Sequence, residues 1–290
     1  MSPDELTSGS GAPRVLLFDS GVGGLSIARC IHQQLPGVHL VYLADNACFP
    51  YGDQPEEVVI RRCLELTAAA LEAWPSDLVV VACNTASTVV LPHLRAMTTV
   101  PVVGVVPAIK PAAQLSRNRR IGLLATPATI RRPYLDQLVR EFAADCELTR
   151  LGDPRLVRWI ESWVAGEPLP ADALDAMLAP FRHAGVDTVV LGCTHYPLIG
   201  EVLQQCLPEV LSWVDSGDAI ARRTAHLLAQ QGCPVESLLP LAQPVDAALF
   251  SGTVPAGLSS FMSGLGLTAA RIHGHWPVAA SRCATATGSA

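Results

Sequence analysis

The chain has 290 residues, of which 50% are apolar and 16% charged, and its net charge is −6. A charged share below the usual value of about 25% excludes a disordered protein, and the negative charge argues against nucleic acid as the main partner. No run approaches the ~18 apolar residues of a membrane helix, and residues 1–13 lack the apolar core of a secretory signal. We therefore expect a cytoplasmic protein that does not enter the membrane.

Apolar strands alternate with amphipathic helices along the chain. The predicted strands are 14–18, 38–44, 78–82, 121–125, 146–151, 188–192 and 211–214. The predicted helices are 25–35, 55–73, 129–142, 156–164, 171–183 and 219–230. Strands that alternate with helices of this length are typical of βαβ units, so the pattern predicts an α/β fold with mostly parallel sheets flanked by helices.

The strand and helix pattern starts again after a proline-rich stretch at 101–111, which has no clear period and predicts a crossover between domains. We expect two similar α/β domains with the active site in the cleft between them. The first comprises residues 14–106 together with about 216–276, and the second comprises 107–215. Residues 1–13 and 277–290 are rich in small and polar residues and are expected to be flexible tails.

The lysines and cysteines exclude several classes of protein. Lys110 is the only lysine, and its surroundings match neither a P-loop nor the Schiff-base site of a pyridoxal-phosphate enzyme. The nine cysteines include no CxxC pair, which excludes a zinc ribbon or a thioredoxin-like motif. Their odd number argues against a disulfide framework. We expect neither a cofactor nor a metal.

Two cysteines stand in matching contexts. Cys83 and Cys193 each follow an apolar strand and a small residue, and each precedes polar residues. Ligands bind at the carboxyl ends of parallel strands, where Asp19 and Thr126 also lie on this interpretation. Cysteine is often buried, and a single strand-end cysteine would be ordinary packing. The matched pair instead predicts two thiols that face one cleft.

Two facing thiols suit racemisation. A racemase removes a proton from one face of a tetrahedral carbon and returns a proton to the opposite face. One group must be a thiolate base while the other is a thiol acid, and the two exchange roles when the direction reverses. His195, two residues after Cys193, would polarise that thiol or cap the next helix.

A glycine-rich loop and a turn complete the candidate site. The loop at 19–24 follows a strand and opens a helix, and its glycines permit close approach to an anion. It could be taken for a dinucleotide fingerprint with Asp45 as the ribose ligand, but Ser26 occupies a position where that fingerprint needs glycine. The Pro50–Gly52 turn could present Tyr51 or backbone amides to a ligand.

Taken together, these segments resemble the glutamate racemases of the aspartate/glutamate racemase superfamily. The matching stretches keep the family's order over about 18–230 and read FDSGVGGLS at 18–26, ADNACFPYGD at 44–53, VVACNTAS at 80–87, VPVVGVVPAIKPA at 100–112, IGLLATPATI at 121–130, VVLGCTHYPLI at 189–199 and WVDSGDAIA at 213–221. The resemblance implies cofactor-independent interconversion of L- and D-glutamate, which supplies D-glutamate for peptidoglycan. It also implies a two-domain fold, and the sequence is compatible with a homodimer.

The resemblance also implies roles for individual residues. Cys83 would be the acid/base on the D-glutamate side and Cys193 its counterpart for L-glutamate, assisted by Asp19 and His195 respectively. The segments that match substrate-binding positions contain Asp19, Ser20, Tyr51, Gly52, Asn84, Thr85, Thr194 and His195. Glu161 would occupy the family's acidic position, although the stretch before it departs from the family pattern. It could also be an exposed helix carboxylate.

Two other functions compete with this hypothesis. The same fold could act on aspartate or serve another isomerase or decarboxylase of the superfamily, although a decarboxylase could work with one thiol. The glycine-rich loop could instead belong to a nucleotide-binding or inactive regulatory protein. The presence of both cysteines with their polar neighbours argues against that alternative.

Overall fold

The computed structural model describes residues 12–233 and 235–277 of the chain. It is an α/β structure with two parallel sheets. The first sheet has the order β10-β9-β2-β1-β3-β4, with strands β1 Arg14–Asp19, β2 His39–Ala44, β3 Leu78–Val81, β4 Val102–Gly104, β9 Val245–Phe250 and β10 Ile272–His273. The second has the order β6-β5-β7-β8, with strands β5 Arg120–Ala125, β6 Glu147–Leu151, β7 Thr188–Gly192 and β8 Ser212–Val214.

Helices cover both faces of each sheet. They are α1 Leu25–Gln34, α2 Glu56–Ala73, α3 Asn84–Met97, α4 Ile109–Leu115, α5 Pro127–Ile130, α6 Pro133–Phe142, α7 Pro154–Val164, α8 Ala171–Ala184, α9 Gly200–Cys206, α10 Gly217–Gln230 and α11 Leu258–Gly264. Short 3₁₀ turns occupy Asn46–Cys48, Tyr51–Asp53, Tyr196–Ile199 and Val235–Ser237.

Strand β1 shows why the strands read as unbroken apolar runs. Val15 and Leu17 point into one hydrophobic core of the first sheet, and Leu16 and Phe18 point into the core on its other face. Successive side chains of a strand alternate between the two faces, so a sheet covered on both sides needs apolar residues at every position. The second sheet likewise separates two cores. The predicted fold class is confirmed.

Several predicted elements differ from the structure. The helix expected over 129–142 is two helices, α5 and α6, because Pro133 lacks an N–H and begins the second. The crossover expected at 101–111 contains strand β4, which pairs with β3, and the start of α4. No element was predicted at α3 or after residue 230, yet β9 lies in the middle of the first sheet beside β2.

The other predictions about termini, cysteines and membranes have separate outcomes. The expected flexible tails lie outside the described residues, except for 12, 13 and 277. Cys48 is disulfide-bonded, whereas the sequence argued against a disulfide framework; free thiols are found at Cys30, Cys63, Cys83, Cys146, Cys193, Cys206 and Cys233. None of the helices within the described part of the chain has the length and apolar character to span a membrane.

Candidate active site

A cleft with about 450 Å³ of free space opens where the carboxyl ends of strands from both sheets meet. Most of the predicted site residues line it, namely Ser20, Tyr51, Gly52, Cys83, Asn84, Thr85, Cys193, Thr194 and His195. Asp19 and Glu161 do not appear among the lining residues and stand behind them. The remaining lining residues were not predicted to bind substrate: Phe49, Pro50, Asp53, Thr126, Pro127, Pro154 and Val157.

Cys83 enters the cleft from the first sheet. It follows β3 and is the N-cap residue of α3, so its thiol lies beside a positive helix N-terminus. Burial raises the pKa of the Cys83 thiol, and the negative charge of Asp19 raises it further, against the smaller opposing effects of the Ala86 N–H and the Ser20 hydroxyl. The Ser20 Oγ lies 3.8 Å from the Cys83 sulfur. Cys83 is therefore a protonated thiol in this geometry, suited to act as the acid.

Cys193 enters the same cleft from the second sheet, directly after β7. It has a different electrostatic partner, because its sulfur lies 3.7 Å from Nδ1 of His195. Both cysteines are only 6% exposed. The sequence suggested that His195 either polarises the Cys193 thiol or caps the next helix. In the structure its side chain contacts the thiol and does not cap the following 3₁₀ turn.

His195 is held by Glu161 on its other ring nitrogen. Nε2 of His195 and Oε1 of Glu161 are 2.7 Å apart. Burial lowers the pKa of His195, but the hydrogen bonds to Cys193 and Glu161 outweigh it and leave the pKa well above its usual value. The ring is therefore a cation whose two N–H groups face a sulfur and a carboxylate. A positive ring beside Cys193 stabilises negative charge on that sulfur.

The glycine-rich loop holds an anion, but that anion is the protein's own carboxylate. The amide of Val22 donates a 2.7 Å hydrogen bond to Oε1 of Glu161. A Cβ at Gly21 would stand 2.0 Å from the same oxygen, and a Cβ at Gly23 would stand 2.3 Å from Nδ1 of His195. The loop lacks side chains at these positions because the Glu161–His195 pair occupies the space that they would need.

Asp19 connects the two halves of the cleft. Its Oδ1 accepts from the Ser20 amide at 2.5 Å, and its Oδ2 accepts from the Thr194 hydroxyl at 2.9 Å. Burial raises the pKa of Asp19, although the positive charge of His195 opposes this. Asp19 is fully buried, and its hydrogen-bonded connection to Cys83 runs through the Ser20 hydroxyl. The expected partnership with Cys83 is thus an indirect one in this structure.

Hydroxyls and amides line the rest of the cleft. The Thr85 hydroxyl lies 3.2 Å from that of Thr126, which caps α5, so these two threonines bridge the first and second sheets. The buried amide oxygen of Asn84 has no hydrogen-bond partner among the described residues. The sequence analysis placed Thr126 at the end of a strand but did not predict that it binds substrate. Its strand-end position is the sequence feature that could have predicted its place in the cleft.

The nucleotide-binding alternative is wrong on geometry. Asp45, its expected ribose ligand, is fully buried and paired with Arg62.

Lys110, the only lysine of the sequence, does not line the cleft. Its ammonium lies over the ring of Phe142, 5.2 Å from the ring centroid. Across residues 12–233 and 235–277, no group of three or more His, Cys, Asp or Glu side chains is arranged to hold a metal ion.

A family model decides the classification. The model of the Asp/Glu/hydantoin racemases matches residues 22–224, more than half of the chain, and includes both cleft cysteines. The chain belongs to the Asp/Glu/hydantoin racemase family. It is an amino-acid racemase, and therefore an isomerase.

Individual relatives of the racemase agree with this classification. It is 50% identical to the glutamate racemase of Klebsiella pneumoniae over 227 residues, which are 78% of this chain and 80% of that protein. It is 51% identical to the glutamate racemase of Vibrio cholerae over 216 residues, 74% of this chain and 81% of the other. The crystal structure of Escherichia coli glutamate racemase with L-glutamate and the activator UDP-MurNAc-Ala superimposes with a TM-score of 0.81 at 43% identity, covering 91% and 98% of the two chains.

Proposed function

We propose that this racemase interconverts L- and D-glutamate without a cofactor, by proton transfer between two cysteines, and so supplies D-glutamate for peptidoglycan synthesis in the cytoplasm. The observation that carries the proposal is that Cys83 and Cys193 line one cleft and come from different sheets. The similarity to glutamate racemases at about half of all aligned positions supports the choice of substrate.

The site offers partners for an amino-acid zwitterion. The substrate ammonium can donate to the buried amide oxygen of Asn84, which lacks a partner within the protein. Neither lysine nor arginine lines the cleft among the described residues. The substrate carboxylates are therefore held by hydroxyls and backbone amides, with Ser20, Thr85, Thr126 and Thr194 as the available hydroxyls.

In each direction of the reaction, one cysteine acts as the base and the other as the acid. Cys193, stabilised as a thiolate by the His195 cation, removes the α-proton of L-glutamate, and the Cys83 thiol delivers its own proton to the opposite face of the α-carbon. The product is D-glutamate, and the cysteines have exchanged protonation states. The reverse reaction begins with Cys83 as the base. Donors in a cleft with little water stabilise the carbanion-like transition state, since they need not reorient during the reaction.

Circular dichroism, which follows the disappearance of one enantiomer's signal, tests the proposal directly. D-glutamate and D-aspartate are incubated separately, without added cofactor, with the wild type and with Cys83→Ala, Cys193→Ala and the control Cys146→Ala, a free thiol outside the cleft. We expect loss of optical activity for glutamate alone, abolished by either cleft substitution and kept in the control. For D-glutamate in deuterium oxide, we expect exchange of the α-proton to be lost in Cys83→Ala, whereas Cys193→Ala keeps the base on that face and can exchange the proton without inverting the carbon.

Other outcomes would redirect the assignment. Racemisation of aspartate in place of glutamate would keep the mechanism and change the substrate. Full activity of either cleft variant would exclude the two-thiol mechanism. Absence of racemisation and of exchange from a folded wild-type protein, with both amino acids, would refute the proposed function.

A further inference from the structure

A fully buried ion pair lies beside the cleft without lining it. Asp45, directly after β2, is 0% exposed, and Arg62 on α2 is 1% exposed. The guanidinium donates to both carboxylate oxygens, from Nε to Oδ2 at 2.9 Å and from Nη2 to Oδ1 at 2.5 Å. None of the steps of the proposed reaction uses this pair.

Two further donors complete the coordination of Asp45. The Tyr51 hydroxyl donates to Oδ2 at 2.7 Å, and the Ser251 hydroxyl donates to Oδ1 at 2.5 Å. A carboxylate has about four acceptor positions, so these four hydrogen bonds fill them. The donors come from α2, from the turn at Tyr51–Asp53 and from the segment after β9. Asp45 is thus the common anchor of three separate segments.

One of those segments forms part of the cleft. Tyr51 and Gly52 both line it, and the nearest atoms to a Cβ at Gly52 are 3.9 Å away, on Thr126 and Ala128 of the opposite side. The Tyr51 hydroxyl donates its hydrogen bond to Asp45. The backbone of the turn is therefore the part that can bind a ligand in the cleft. The position of that backbone depends on the anchor.

Stability is a poor explanation for such a pair. Removing two charges from water costs about as much as their attraction returns, so a buried ion pair contributes little net stability compared with apolar residues of similar volume. What a bidentate, fully hydrogen-bonded pair does supply is a defined geometry.

We propose that Asp45 and Arg62 are positioning residues that hold the Tyr51–Gly52 backbone in place to bind the substrate. The inference rests on the proposed function, since it names glutamate as the ligand of this turn. Losing the anchor weakens substrate binding in both directions of the reaction while the thiols, on other segments, keep their rate of proton transfer.

Tyr51→Phe tests the connection with the smallest change. It removes one hydroxyl and leaves the Asp45–Arg62 pair and the aromatic ring in place. The matched control is Tyr196→Phe, which also removes a buried hydroxyl, but one without a partner among the described residues. We expect Tyr51→Phe to raise KM for both enantiomers about tenfold, equivalent to ~1.4 kcal/mol, with kcat changed less than about twofold. The control should keep the wild-type KM.

Arg62→Lys tests the pair itself. Lysine keeps the positive charge but cannot donate in the bidentate geometry, so KM should rise here too. Because both substitutions act through Asp45, the double variant should raise KM less than the product of the two single effects. Independent, multiplicative effects would overturn the proposal. If Arg62→Lys does not fold, Tyr51→Phe alone decides.

Calorimetric titration with D-glutamate separates this inference from the proposed function. A wild type that binds D-glutamate but does not racemise it refutes the function, and the affinity of Tyr51→Phe still tests the anchor. If the affinity and KM of Tyr51→Phe lie within about twofold of those of Tyr196→Phe, the positioning role is overturned. This holds whatever the melting temperatures of the two variants. A wild type that does not bind glutamate would overturn both.

Discussion

The Nε2 atom of His195 lies 2.7 Å from Oε1 of Glu161, so a carboxylate on α7 joins Cys193 in raising the pKa of the imidazole that faces that cysteine. The same oxygen accepts from the Val22 amide, which fixes the carboxylate in turn. Glu161 does not line the cleft and therefore acts through the histidine. Its effect on the reaction depends on keeping the ring protonated.

Glu161→Gln should move the alkaline limit of activity. The Glu161 charge and hydrogen bond help to hold the pKa of His195 above its usual value, and glutamine keeps the shape without the charge. The pKa of His195 falls, so the ring loses its proton at lower pH and the alkaline limb of kcat/KM shifts to lower pH. We expect a loss of about 10²-fold or more at neutral pH, because acid–base groups contribute on that scale.

The measurement is a pH–rate profile of racemisation, with an unfolding curve at each pH. A raised histidine pKa contributes stability that is complete below the unfolded value and is lost as the pH rises through the folded value. Glu161→Gln should therefore lose the part of this stability that Glu161 contributes, in acid and neutral solution. A profile that coincides with wild type would show that the pair does not control the reaction.

Gly23→Ala should disable the site while the fold persists. The new Cβ would stand 2.3 Å from Nδ1 of His195, so the ring must move away from Cys193. A displacement of about 1 Å at a catalytic group can cost ~100-fold in rate, and we expect at least that loss in kcat. The control is Gly200→Ala at the start of α9, where a Cβ meets no described atom within 4 Å beyond its chain neighbours and its own helix backbone. Equal kcat values for the two variants would contradict this account.

Two ion pairs join segments on the two sides of the cleft. Asp53 contacts Arg158 on α7 at 2.7 Å, and Glu56 at the start of α2 contacts Arg132, the residue before α6. We propose that the two predicted domains close over the substrate and that these pairs favour the closed form. Exposed pairs contribute only about 0–1 kcal/mol to stability, so their effect should appear in substrate binding.

The double variant Arg132→Ala/Arg158→Ala should raise KM a few-fold with little change in unfolding free energy. Added salt should raise the wild-type KM and affect the double variant less, since screening weakens exposed pairs. Arg150→Ala, which breaks an exposed 2.7 Å pair with Asp136 on one side only, is the control. Steady-state kinetics at several salt concentrations would decide, and identical salt dependence in all three proteins would refute the closure model.

Leu16→Ala should destabilise the first sheet strongly. Leu16 is 0% exposed at the centre of β1, and replacing a buried leucine with alanine costs about 2–5 kcal/mol through lost burial and the cavity left behind. Leu239→Ala is the matched control, because that leucine is 84% exposed and should change stability by less than about 0.5 kcal/mol. Urea unfolding of both variants gives the comparison. A similar stability for the two would show that the core is assigned wrongly.

The sequence alone determined the α/β class and the matched contexts of Cys83 and Cys193. Both follow from local patterns: apolar runs mark strands buried on both faces, and a cysteine after such a run lies at the strand's carboxyl end. The helix break at Pro133 was missed because the apolar period continues across it, although proline at a first helical turn is itself a local signal.

Only the tertiary structure decided which groups meet. Glu161 and Val22 are 139 positions apart, and Asp45 and Ser251 are 206 apart, yet each pair is joined by a hydrogen bond. Such contacts depend on how helices pack on two sheets and how the sheets face each other, which local periodicity does not encode. The glycine-rich loop illustrates this: its sequence predicted close approach to a substrate anion, and packing places the Glu161 carboxylate against its Val22 amide.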